Sequence, residues 1–123
     1  MSVLTATRQA TADLLGEALD IQSFAAMPDR IVPPSVIVLP GSPYLSNGNT
    51  FGTFTAQLSV VLVTDAKVNA TATTALDELI ENATVALINA GISVSEASEP
   101  WQLSSANATY LASTLTTTQN IAL

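Results

Sequence analysis

The segment from Phe51 to Thr64 constrains the fold more than any other, because apolar and polar residues alternate along most of it. Alternation places successive side chains on opposite faces of a strand, so it predicts one buried face and one wetter face. At Val61 and Val63 the positions of the wetter face become apolar as well. We therefore predict a long strand whose final residues lie under a helix or a neighbouring subunit.

Two segments have the periodicity of amphipathic helices. They are Val3 to Leu19 and Thr74 to Ala90, where apolar residues recur every three or four positions. Gly91 follows the second segment at the place of a left-handed C-terminal cap. Asp77, Glu78 and Glu81 are predicted to lie on the wet side of this helix, and its core-facing stripe is Leu76, Leu79, Ile80, Ala83, Leu87 and Ile88.

Four further segments are predicted to be strands. A short one falls within 21–26, a buried one at 35–39 follows two prolines, and the last two, 92–96 and 109–117, are expected to pair as a hairpin. Glu99-Pro100-Trp101 is predicted to end the 92–96 strand. The end of the chain, 114–123, is less regular than a closing edge strand, which leaves open that it reaches a neighbour.

The order of elements is thus helix, three strands, helix, two strands (α-β-β-β-α-β-β). This order predicts an α+β fold with a mostly antiparallel β-sheet and two helices packed on one face. The 123 residues, 48% of them hydrophobic, are enough for one core, so we predict a single domain over 1–123.

The charge and the missing residue types exclude several functions. There is no Cys and no His, which removes thiol and Ser-His nucleophiles, disulfides and Cys- or His-based zinc sites. Ten acidic residues against three basic ones (Arg8, Arg30 and Lys67) give a net charge of −7, which disfavours nucleic-acid binding. We predict no enzyme activity, no cofactor and no metal. No apolar run is long enough to span a membrane, and residues 1–8 do not predict a secretory signal.

Two pairs of carboxylates, Asp13/Glu17 and Asp77/Glu81, are spaced four residues apart on the predicted helices. Such a pair could hold a hard cation such as calcium. Solvated helix faces commonly carry the same spacing, and we interpret both pairs in that way.

The segment from Pro40 to Asn49 is rich in glycine, proline and asparagine and is predicted to be a loop. It serves either as a hairpin connection or as a functional loop. Tyr44 with Leu45, Phe51 and Trp101 lie in or beside loops, where such side chains are candidate interface anchors; the alternative is packing onto the core. Only 11% of the residues are charged, which favours a chain that hides surface in a partner or in copies of itself.

Taken along its whole length, the chain resembles the small tail terminator proteins of long-tailed (siphovirus-type) bacteriophages. The resemblance is carried by the N-terminal helix, the Pro-rich entry 31–40, Tyr44-Leu45, the strand ending Val60-Val-Leu-Val63, the helix 74–90 and the closing strands.

The resemblance implies a ring, commonly of six copies, that caps the tail tube, ends its polymerisation and joins the tail to the head connector. The implied partners are copies of this chain, the tail tube protein and the head-tail connector protein, in a virion assembled in the host cytoplasm. DNA would pass through the ring without specific binding. The alternatives are a head-completion or neck connector protein, a small-ligand-binding or enzymatic α+β domain, and a secreted adhesive domain.

Overall fold

The computed structural model describes residues 2–48, 52–64, 70–105 and 108–123. Two helices and six strands are found in these ranges. In chain order they are α1 (Val3–Leu19), β1 (Gln22–Phe24), β2 (Ser35–Asn47), β3 (Thr53–Thr64), α2 (Ala70–Asn89), β4 (Ser93–Ala97), β5 (Trp101–Ser105) and β6 (Ala108–Ala122).

The strands form one mixed sheet in the order β1-β2-β3-β6-β4, with β5 pairing to β6 beside β4. Only β1 and β2 run parallel; every other pairing is antiparallel. Both helices pack on one face, which we call the helix-covered face. The predicted α+β fold and its order of elements are confirmed, with one additional short strand, β5.

The main core fills the space between the helices and the helix-covered face. The strand β3 contributes the alternating set that the sequence predicts, and all of its members are fully buried. Leu15 of α1 and Leu76 and Leu87 of α2 close the core from the other side. The set from β3 is Ala56, Leu58, Val60 and Leu62.

A second, smaller cluster lies on the other side of the sheet, which we call the opposite face. It holds Val61 and Val63 of β3 together with Ile31. Ile31 belongs to the connector, the segment 25–34 between β1 and β2, and its carbonyl oxygen accepts a hydrogen bond from the Tyr110 hydroxyl at 3.0 Å. The predicted cover over Val61 and Val63 was a helix or another subunit. The structure corrects this, because the chain's own connector packs there.

The predicted loop from Pro40 to Asn49 is wrong in its first part, because β2 continues to Asn47. The strand accommodates the turn-forming residues in a wide bulge, where four residues, Gly41 to Tyr44, stand opposite Gln57 alone. A bulge leaves ladder positions unpaired, so proline is tolerated there. Gln57 also donates from its side chain to the Ser42 carbonyl oxygen at 3.0 Å, which fixes the bulge to β3.

The end of α2 follows the predicted cap. Gly91 has a φ of 81°, the left-handed conformation that glycine adopts without a steric cost. The Ile92 N–H donates to the Leu87 carbonyl at 2.9 Å and the Gly91 N–H to the Ile88 carbonyl at 3.0 Å, which is the Schellman pattern. Of the predicted core-facing stripe, Ile88 is the exception, since 59% of it is exposed.

The C-terminal part of the sheet differs most from the sequence prediction. Trp101 begins β5 instead of ending a strand, and β5 and β4 lie along the same edge of β6. The predicted pairing of the 92–96 strand with the last strand is confirmed as β4 with β6. Residues 114–122 are not a loose tail. They continue β6, an inner strand that pairs with β3 up to Ala122, because the β-branched threonines of this stretch suit a strand interior.

Candidate interface surfaces

Two of the predicted anchors, Tyr44 and Leu45, lie in the second half of β2. Both are half-buried; Tyr44 sits in the bulge and packs against the main core, and Leu45 pairs with Ala56. Phe51 lies outside the described residues. The structure therefore places Tyr44 against the chain's own core, and the role of Tyr44, Leu45 and Phe51 at an interface stays a prediction.

Trp101, the remaining predicted anchor, lies on the other side of the sheet from Tyr44. It is half-buried against the cluster of the opposite face, and its indole N–H donates to the Thr114 hydroxyl at 3.2 Å. Since Tyr44 and Trp101 pack on opposite faces, the structure does not bring the predicted anchors together into one site.

Six large apolar side chains are exposed in the described ranges. Val3 and Leu123 lie near the ends of the chain; of the other four, two belong to the connector and two to α2. Met27 and Val32, 48% and 49% exposed, belong to the connector. Val85 and Ile88, 58% and 59% exposed, belong to α2. An exposed apolar side chain is ordinary when it stands alone, but grouped ones are typical of interaction surfaces. These two pairs are the candidate interface surfaces of the described chain.

The connector patch consists of Met27, Arg30 and Val32. Because Ile31 is buried and bonded to Tyr110, the residues on either side of it, Arg30 and Val32, are held at the surface. Val32 also lines an open depression of ≈ 390 Å³. The other residues that line it are Asp20, Ile21, Gln22, Pro33 and Pro34.

The connector is also anchored to α1. Arg8 reaches from the helix and donates from Nη1 to the Ala25 carbonyl oxygen at 2.7 Å. Its Nε is buried and has no hydrogen-bond partner among the residues that the structure describes. Of the three cations of the chain, Arg30 belongs to the connector and Arg8 contacts it from α1.

The helix patch consists of Glu81, Val85 and Ile88 of α2, all exposed. Their spacing of four and then three residues places them on one stripe of the helix. This stripe lies away from the main core, to which α2 contributes Leu76, Ala83 and Leu87. Glu78, three residues before Glu81, extends the acidic end and lines a second open depression of ≈ 420 Å³.

One residue of the sequence could have indicated the helix patch, although the helical periodicity of the apolar residues did not. Val85 lies four residues after Glu81, on the side of the helix predicted to be wet, and an apolar residue at such a position is unusual. Ile88 was assigned to the core stripe, whose width the spacing does not define. Met27 and Val32 lie in a segment without periodicity, so nothing in the sequence indicated their exposure.

Among the described residues, no apolar side chains cover part of the opposite face. Beyond the second cluster, β3 presents Gln57 and Ser59, and β6 presents Thr116 and Thr118 directly beside them. All four are only half-buried. This end of the sheet is polar but almost uncharged, which makes it suited to solvent or to a polar neighbour rather than to a hydrophobic partner.

The carboxylate pairs do not combine into a larger site. Asp13 accepts a hydrogen bond from the Gln9 side-chain amide at 2.9 Å. Within the described ranges, no three Asp or Glu residues come close enough together to hold a metal ion. The interpretation of both pairs as solvated helix faces agrees with the exposure of all four side chains.

Neither helix of the described chain combines the length and apolar character needed to cross a membrane. Comparison of the sequence with protein-family models and with curated proteins found no family and no relative that match it.

Proposed function

We propose that this chain is a structural protein of a phage virion. In this proposal, copies of it form a ring that caps the tail tube, ends tube polymerisation and joins the tail to the head connector. The observation that carries the proposal is the pair of exposed apolar surfaces on different elements, the connector patch and the helix patch. A molecule with two such surfaces can bind a copy of itself through each of them, as the subunits of a ring do.

The proportions of strand and helix support a tail terminator over the alternative, a head-completion or neck connector protein. Of the described residues, 47% lie in strands and 33% in helices. Head-completion and connector proteins of the neck are often rich in helices, whereas the resemblance to tail terminators rests on a strand-rich α+β order.

The charge of the chain is compatible with a ring through which DNA passes. Neutralisation of phosphates by Lys and Arg supplies most of the affinity of proteins for DNA. With a net charge of −7, the ring would repel a phosphate backbone and let it slide. The two depressions among the described residues are open, unlike the enclosed pockets in which small ligands bind.

The proposal is tested by quantitative mass spectrometry on phage particles purified from the source of this chain. We expect about six copies per particle, as for a single cyclic ring. Removal of the gene should give tails of uncontrolled length in electron micrographs. Absence of the chain from particles would overturn the proposal, and particles with normal tails but empty necks would favour the head-completion alternative.

A further inference from the structure

We infer that neighbouring copies of this chain associate head to tail, with the helix patch of one copy on the connector patch of the next. The inference rests on the proposed function in one respect: the inference and the proposed ring both require copies of the chain to associate. It goes further because it names the two surfaces and the residues that meet: Met27, Arg30 and Val32 on one copy, and Glu81, Val85 and Ile88 on its neighbour.

The edges of the sheet favour an interface of side chains over one of paired strands. The edge strand β1 has three residues, β2 carries Pro40 just before its bulge and Pro43 within it, and β4 has a bulge next to Glu96. Short edge strands, proline, bulges and charge are the features that prevent the addition of a further strand. Addition of a strand is thus disfavoured at β1, β2 and β4, and the two exposed patches offer surfaces of side chains instead.

The connector patch borders a depression with apolar lining. Ile21, Pro33 and Pro34 line this depression together with Val32, and it is open to solvent. Ile88 of a neighbour, an aliphatic side chain more than half exposed, is of the kind that such a depression buries. Asp20 and Gln22 also line the depression and would supply polar groups to the interface.

The charges favour contact of a helix patch with a connector patch over contact between two helix patches. The connector patch contains Arg30, with Asp29 as its neighbour in the chain, whereas the helix patch contains Glu81, with Glu78 beside it and no cation. Two helix patches facing each other would bring carboxylates together. A helix patch on a connector patch brings Glu81 towards Arg30, and complementary charge of this kind sets the partner and the orientation.

An interface between two different surfaces repeats from copy to copy. In a short row of copies, the copy at each end has one patch that is not bound. Further copies therefore add until the row closes into a ring, or it continues as a filament. The proposed pairing thus provides the geometry that a ring requires, and contact between identical patches, which stops at a dimer, does not.

Cysteine cross-linking tests the pairing directly, because the chain has no cysteine of its own. Val32→Cys and Val85→Cys are made singly, and Ala10→Cys on the exposed side of α1 serves as the matched control. Cross-linking is carried out both on the purified chain and on isolated tails. A mixture of Val32→Cys and Val85→Cys should form a disulfide dimer at least about tenfold faster than either variant alone or either with Ala10→Cys.

Charge reversal provides a second test that does not depend on cysteine. Arg30→Glu and Glu81→Arg should each weaken association by about tenfold in sedimentation measurements, and the double variant should restore much of it. Circular dichroism establishes that each variant is folded. Two results would overturn the pairing without contradicting the proposed ring. One is a disulfide dimer that Val85→Cys forms alone as fast as in the mixture. The other is a mixture that gives no cross-link although the chain is present on tails. A chain absent from tails would overturn the proposed function, while a cross-link in solution would still support the pairing.

Discussion

The two faces of the sheet are built from the same strands, yet they differ in how far burial extends along them. On the helix-covered face, β3 is buried from Ala56 to Leu62 without a break. On the opposite face the same strand is buried only at Val61 and Val63, and Gln57 and Ser59 remain half-exposed. The strand has the same backbone on both sides, so the difference comes from what packs against it.

The extent of burial on each face follows from the length of the segment that packs against it. The 20 residues of α2 form a rod of about 30 Å, which spans most of the length of a 12-residue strand. The connector packs on the opposite face at one end only. Of the described connector residues, Ile31 alone belongs to the buried part of the second cluster. A helix can therefore bury a strand along its length, whereas a short connector protects one end and leaves the rest polar.

The largest expected effect is on the helix-covered face. Leu58 is fully buried in the main core, and Leu58→Ala should lower the free energy of unfolding by about 2–5 kcal/mol, through lost burial and the cavity left behind. Leu39→Ala is the matched control on the opposite face, because Leu39 is only half-buried against the second cluster. Urea denaturation of both variants measures the difference, and equal losses would contradict the distinction between the faces.

A smaller effect is expected at the bulge, where β2 departs from regular pairing with β3. A Cβ atom on Gly41 would lie 2.5 Å from the Gln57 carbonyl oxygen and 2.7 Å from its carbonyl carbon, so backbone has to move. Gly41→Ala should lower the free energy of unfolding by about 1–3 kcal/mol, the usual range for overpacking. The exposed neighbour allows a control, Ser42→Ala, expected to stay within about 0.5 kcal/mol. If Gly41→Ala were equally neutral, the bulge would not be tightly packed against β3.

The helix-covered face was predictable from sequence, since its burial follows from local periodicity. The alternation in β3 gives the buried set correctly, and the cap at Gly91 marks the end of α2. Both features depend on residues close in the chain. The extra strand β5 and the full length of β6 were missed, because Pro100 and a run of threonines resemble a connector until their pairing partners are known.

The candidate surfaces were less predictable than the fold. Tyr44 and Trp101 were selected because loops often carry anchors, and the structure places both in strands. The exposure of Val32 depends on the burial of its neighbour Ile31, which in turn depends on Tyr110, 79 residues further along the chain. No local pattern reports a contact over such a separation.

The smallest expected effect tests how the connector is held on the opposite face. Tyr110→Phe removes the hydroxyl that donates to the Ile31 carbonyl at 3.0 Å and leaves the ring in place. One hydrogen bond of this kind contributes about 0.5–1.5 kcal/mol, so the loss of unfolding free energy should fall in that range. Hydrogen exchange should quicken chiefly in the connector, because local opening there no longer breaks the bond to Tyr110. Tyr44→Phe makes the same change at the bulge of β2 and should leave exchange in the connector unaltered. Exchange that is unchanged in Tyr110→Phe would mean that the packing of Ile31 alone holds the connector, and the position of Arg30 and Val32 at the surface would then depend on that packing.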